Sequence, residues 1–266
     1  MNVVCTIAGK ELSDHFRNGW VLAISAAFAV FALVIGFAGF GFTGELGARD
    51  QGATLTSLTS LVIYLIPLLG LLLGYDGIAG EHERGTLDLL LSYPLQPVQL
   101  LLGKWLGLVG VLGAALLLGL VAPTALAVAG GQGLGAWLTF AVLSAWLGAI
   151  FVGVALLLST FTRERARLLG IALGLWLLLV ILFDLALIGL LVASGGTLPA
   201  ALVSGLFFAN PTSLFRFLNL TLLLDAKALA DTGLAAAAPT LWMLFAALAA
   251  WTVGPLLAAG FAVRRQ

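Results

Sequence analysis

Long apolar runs constrain this chain more than any other feature. Six can be read, near 20–42, 56–80, 101–129, 134–160, 168–193 and 239–262. A helix needs about 20 apolar residues to cross the roughly 30 Å core of a bilayer, and each run reaches that length. Hydrocarbon offers no partner to an unpaired backbone N–H or C=O, so each run must satisfy its own backbone as a helix. The expectation is an all-α polytopic membrane protein of six spans, with one domain covering 1–266. Gly130, Gly131, Gln132 and Gly133 leave room only for a tight hairpin between the third and fourth spans. Composition agrees: 62% of residues are hydrophobic and 9% charged, against about 25% charged in a soluble domain. That excludes a soluble enzyme, a disordered tail and a nucleic-acid binder built on a basic stripe.

Orientation follows from the basic residues. With a cytoplasmic N-terminus, Lys10, Arg17, Arg84, Lys104, Arg163, Arg165, Arg167, Arg264 and Arg265 lie inside, and Arg49, Arg216 and Lys227 lie outside. Nine against three puts both ends inside, in a bacterial inner membrane. No cleavable signal is visible, because Lys10, Glu11, Asp14, His15 and Arg17 precede the first apolar run. Val4, Ile7, Ala8, Leu12, His15 and Phe16 recur at helical spacing, opposite Lys10, Asp14 and Arg17. This predicts an amphipathic helix lying in the cytoplasmic interface. Between the fifth and sixth spans, the apolar stretch through Leu198, Leu202 and Leu206–Phe208 is too short to cross. Asn210–Pro211 breaks it, and a second stretch runs from Leu214 to Leu224. Short external helices entering or lying on the outer leaflet are expected there.

Several motifs fail their context. Gly39-Phe-Gly-Phe-Thr-Gly44 spells a dinucleotide fingerprint but ends an apolar helix and follows no strand. Gly130–Gly133 sits in the outer hairpin, and no G-x-x-x-x-G-K-[ST] occurs, so no nucleotide or other cofactor is expected on this chain. Cys5 is the single cysteine, and the histidines, His15 and His82, lie outside the spans. No metal site or catalytic nucleophile is expected. Gly70/Gly74, Gly103/Gly107 and Gly170/Gly174 place small residues at four-residue spacing, read as ordinary close helix packing. Asp184 is the one ionisable residue deep in a span. A carboxylate there costs about 2.5–3.5 kcal/mol, so it should face a bundle interior or a wet cavity, as part of a gate or of a helix contact. No buried basic residue within the spans offers itself as its partner.

The most informative stretch follows the second span: Gly74-Tyr-Asp-Gly-Ile-Ala-Gly-Glu-His-Glu-Arg-Gly-Thr-Leu-Asp-Leu-Leu-Leu-Ser-Tyr-Pro94. Glu81, Glu83 and Arg84 put charge at the boundary. Thr86 can cap a short helix bearing Leu87, Leu89, Leu90 and Leu91, which Pro94 stops. A charged-then-apolar helix held between two rigid spans suits docking by a partner.

This stretch resembles the Glu-x-Glu-x-Gly-Thr-Leu-x-x-Leu-Leu-Ser-x-Pro pattern of permease subunits of ABC exporters of the type V fold. The resemblance implies that Glu81, Glu83, Arg84, Gly85, Thr86, Leu87 and Leu90 couple to a separate cytoplasmic ATPase, supported by Arg163 and Arg165. The permease would be a non-catalytic homodimer, with ATP and Mg2+ held on the ATPase. Thr6–Leu12 with Arg17–Trp20, the stretch above, and Asn210-Pro-Thr-Ser-Leu-Phe-Arg-Phe-Leu-Asn-Leu220 resemble more narrowly the permeases of the nitrous oxide reductase maturation system of denitrifying bacteria. That likeness implies a periplasmic maturation partner docking near Asn210, Pro211, Phe215 and Arg216, and a role in building the reductase's copper site. Soft ligands are scarce in the spans, which favours force transmission or export of a sulfur species over copper passage. The alternatives are a type V exporter of lipid or another hydrophobic cargo, and a membrane enzyme or ion-coupled carrier working without an ATPase.

Overall fold

A computed structural model describes residues 3–17, 19–38, 51–83, 85, 96–162, 164–195, 199–223 and 240–264, and every regular element among them is helical. The helices are α1 (Val3–Arg17), α2 (Trp20–Ala38), α3 (Gln51–Gly74), the short α4 (Ala79–Glu83), α5 (Pro97–Ala129) and α6 (Leu134–Leu158). They are followed by α7 (Arg165–Trp176), α8 (Phe183–Ala193), α9 (Ala200–Phe208), α10 (Pro211–Leu223) and α11 (Leu241–Arg264). Between α7 and α8, Leu177–Leu182 form a π-helical stretch within one continuous rod. Five segments of the described residues are long and apolar enough to cross a membrane: Thr54–Glu81, Pro97–Ala129, Leu134–Leu158, Arg165–Ala193 and Leu241–Arg264. The first apolar run gives α2, 19 residues long, and its expected continuation to residue 42 lies outside the described residues.

Helix α6 is the axis of the bundle, packed against α3, α5, α10 and α11. Its most apolar stretch is 72% buried, against 6% for Arg165–Ala193 and 11% for α11, so the last two form the periphery. Lipid is as apolar as leucine, so close packing and interhelical hydrogen bonds hold such helices together. Indole N–H groups supply four of these bonds. Trp105 Nε1 donates to Ala149 O (2.9 Å), Trp146 Nε1 to Thr252 Oγ1 (2.9 Å), Trp176 Nε1 to Tyr64 O (3.0 Å) and Trp251 Nε1 to Phe208 O (3.1 Å).

The small-residue pairs divide by role. Gly70 and Gly74 bring α3 against α6 at Phe151 and Ala155, whereas Gly170 and Gly174 face open space within this chain. Gly103 and Gly107 seat α1. A Cβ at Gly103 would lie 2.7 Å from Ile7 Cβ, and one at Gly107 would lie 2.6 Å from Glu11 Cβ and 2.9 Å from Ala8 O. A four-residue step along α5 meets a four-residue step along α1, so the two helices run side by side in the same direction. The apolar stripe expected to enter the lipid interface is therefore turned partly onto protein. Val4, Ile7, Ala8 and Leu12 are half-buried, while Phe16 stays 42% exposed.

The two short helices after the fifth run are α9 and α10. Of the two positions expected, entering the leaflet or lying on it, helix α10 does not show the second: Pro211–Phe215, Phe217, Leu218 and Asn219 are buried, and it packs on α3, α6 and α11. Asn210 starts it, its Oδ1 accepting from Thr212 N (3.0 Å) and Thr212 Oγ1 (2.8 Å). Side-chain oxygens of this kind satisfy the orphan donors of a first turn.

Candidate functional site, a charged hub at the end of helix α3

Helix α3 closes at Gly74, and a turn through Tyr75–Ile78 leads into α4. Within eight positions the chain presents Asp76, Glu81 and Glu83. Helix α5 begins at Pro97, where proline's missing N–H costs nothing, and Gln96 N is held by Gln99 Oε1 at 3.2 Å. Two turns later α5 brings Lys104 beneath α4. Lys104 is 4% exposed. Its Nζ donates to Glu11 Oε1 at 2.6 Å and to Glu81 Oε1 at 3.1 Å, so one ammonium joins α1, α4 and α5.

A second bridge lies beside the first. Arg165, opening α7, pairs through Nε with Asp76 Oδ1 at 3.0 Å and with Glu83 Oε2. The Glu81-x-Glu83 pattern thus sends one carboxylate toward α5 and α1 and the other toward α7. Glu83 is half exposed, at 54% of its side chain, so the Arg165 bridge is solvent-screened and weak as a source of stability. The Lys104 bridge is nearly dry, where losing one partner strands the other charge. Each bridge sets two carboxylates against one cation. A cavity of about 480 Å³ opens beside them, lined by charged groups that include Lys10, Asp14, Arg17, Asp76 and Lys104.

Of the residues expected to couple to a partner, Glu81, Glu83 and Arg165 meet in this hub. Gly85 follows with φ +67°, a left-handed conformation that costs any residue with a Cβ about 1–2 kcal/mol. Arg84, Thr86, Leu87, Leu90 and Arg163 lie outside the described residues. Sequence reasoning missed Glu11, Asp76 and Lys104 as members. A lysine four residues into an apolar run was the available signal, because a charge there needs a named partner.

Near the middle of the rod Arg165–Ala193, the residues expected at an external docking surface fall differently from expectation. Asn210 is 0% and Phe215 1% exposed, and Pro211 is buried too, so these three side chains are covered within this chain. They anchor α10 inside the bundle. Arg216 is 38% exposed along its side chain, and its Nη2 donates to Asp184 Oδ2 at 2.7 Å. Asp184, for which the spans offered no basic partner, is therefore paired from α10.

The sequence matches the family described as ABC-2 family transporter protein over residues 5–264. It is similar to the probable ABC transporter permease protein NosY of Pseudomonas aeruginosa, 44% identical over 281 aligned positions that take in 100% of this chain and 99% of that one. The protein of the same name from Stutzerimonas stutzeri is 46% identical over 228 positions, 83% of this chain and 82% of that one. A match spanning nearly every residue, with the hub inside it, means that the chain belongs to the ABC-2 family of transporter proteins.

Proposed function

We propose that this chain is the permease subunit of an ABC transporter serving copper-site maturation of nitrous oxide reductase. It would have six spans, both termini cytoplasmic, and work as a homodimer in the bacterial inner membrane. Membership of the family implies an associated ATPase subunit, which in this reading holds the ATP and Mg2+.

The observation that carries the proposal is the hub. Glu81 and Glu83 open the stretch expected to meet the ATPase, and two ion-paired routes lead away from them. One runs through Lys104 to α5 and α1, the other through Arg165 to α7. A push on residues 84–95 loads both routes at once. The NosY relatives, with the three resembling stretches, support the narrower assignment. On the far side, force or a sulfur- or copper-related species reaches a periplasmic maturation partner, whose contact falls to the more exposed parts of 199–223 rather than to Asn210, Pro211 or Phe215.

The test is a mild-detergent pull-down from native membranes through a tag at Gln266. An ATPase together with a periplasmic protein is the expected result, and charge reversal at Glu83 together with Arg84 should release the ATPase. An ATPase alone keeps the exporter and shifts the cargo to a lipid or other hydrophobic molecule. Absence of any ATPase refutes the proposal, and activity of the purified chain alone revives the carrier or enzyme reading.

A further inference from the structure

The rod Arg165–Ala193 is one continuous helix with a flaw near its middle. Leu177–Leu182 are π-helical, a wider turn that is rare in helices and is a known site of sharp bending. The two halves it separates are held very differently. The lower half, α7, packs on α3 and α6. Trp176, the last residue before the flaw, donates its indole N–H to Tyr64 O on α3 at 3.0 Å. The upper half, α8, buries no residue at all.

Among the described residues, two hydrogen-bonded polar contacts join the outer segment to this rod. Asn210 Nδ2 donates to Leu179 O at 2.5 Å, inside the π-helical stretch. Arg216 pairs with Asp184 at 2.7 Å, just above it. Asn210 and Arg216 stand at the start and in the middle of α10, which is itself packed into α3, α6 and α11.

We infer that the π-helical stretch is a joint in the peripheral rod, with Asn210 and Arg216 as positioning residues: Asn210 holds the joint itself, and Arg216 clasps the upper half to the outer segment. Motion arriving through Arg165 and α7 bends the rod at the joint, and Asp184–Arg216 hands the displacement to α10. The source of the motion rests on the coupling reading above; the joint and its clasp do not. The 11 residues of α8 span about 16 Å at 1.5 Å per residue. A bend of about 20° at a π-bulge therefore carries its far end about 6 Å.

Distances between paired spin labels test this in the full chain, with Cys5→Ser removing the single native thiol. Labelled protein is diluted into cysteine-free protein so that only pairs within one chain are read. Leu138→Cys with Val192→Cys reports the upper half, and Leu106→Cys with Ile171→Cys the lower; all four sites are exposed within the chain. Arg216→Gln should broaden the 138–192 distribution and leave 106–171 narrow, and the swap Asp184→Arg with Arg216→Asp should restore the width. An unchanged 138–192 width in Arg216→Gln overturns the clasp, and equal broadening of both pairs overturns the joint. With the partner ATPase bound and ATP trapped, the 138–192 distance should shift by up to about 6 Å while 106–171 shifts less. Hydrolysis without that shift overturns use of the joint in the cycle. Failure of an ATPase to associate counts against the coupling reading alone, since the variant comparison needs no partner.

Discussion

Replacing Lys104 with methionine removes the ammonium that holds Glu11 and Glu81 together and leaves its volume nearly unchanged. The side chains of Glu11 and Glu81 are only 15% and 12% exposed, so two carboxylates would then face each other with little water between them. Removing one partner of a buried ion pair costs about 3–5 kcal/mol. The adjoining cavity admits some solvent, which puts the expected loss at the lower end, about 3 kcal/mol. At about 2–4 °C per kcal/mol for a chain approaching this size, the unfolding midpoint followed by tryptophan fluorescence in detergent should fall by about 6–12 °C. The triple variant Lys104→Met, Glu11→Gln, Glu81→Gln removes all three charges, and neutral replacement of a buried ionic group is often no worse than the original. It should recover most of the midpoint yet remain poorly stimulated by nucleotide in the ATPase complex, because the link from α4 to α1 and α5 is gone. A single variant as stable as the parent, or a triple variant no better than the single one, would refute the reasoning.

Gly107→Leu should dislodge α1, since even a Cβ there would lie 2.6 Å from Glu11 Cβ. Limited proteolysis should then cut within residues 3–17, whereas Gly113→Ala, with nothing within 4 Å, should stay resistant. Trp105→Phe leaves Ala149 O without its indole donor and should lower stability by about 1 kcal/mol, read as a midpoint shift of a few degrees. Arg165→Glu should weaken ATPase-coupled activity more than stability, because its bridge is partly exposed. Adding Glu83→Arg should return part of that activity, and no recovery in the pair would argue against Glu83 as its working partner. Gly85→Ala should be destabilised by about 1–2 kcal/mol if φ +67° is retained, and Gly85→Asn, which tolerates that conformation better, by less.

Much of the architecture was legible from local pattern alone. Runs of apolar residues define the spans because a bilayer leaves a backbone no alternative to the helix. The stripe Val4, Ile7, Ala8 and Leu12 marks an amphipathic helix because residues at that spacing share a face. Glu81 and Glu83 stand out in sequence as charges at the end of an apolar run, but that they tie α4 to α5, α1 and α7 is visible only in the fold. What these patterns do not contain is who meets whom. Lys104 finds Glu11 across 93 positions and Glu81 across 23, and Arg216 finds Asp184 across 32. No periodicity encodes such pairings; they exist because glycines let α1 settle on α5, and because α10 is packed into the bundle. Asn210 shows the difference in one residue. Asn-Pro reads in sequence as a break in an apolar stretch, and its cap on α10 is a local matter that sequence can foretell. That its amide also reaches the carbonyl of Leu179 follows only from how the helices are stacked, since a hydrogen bond between distant segments is decided by the distance the tertiary fold leaves between them.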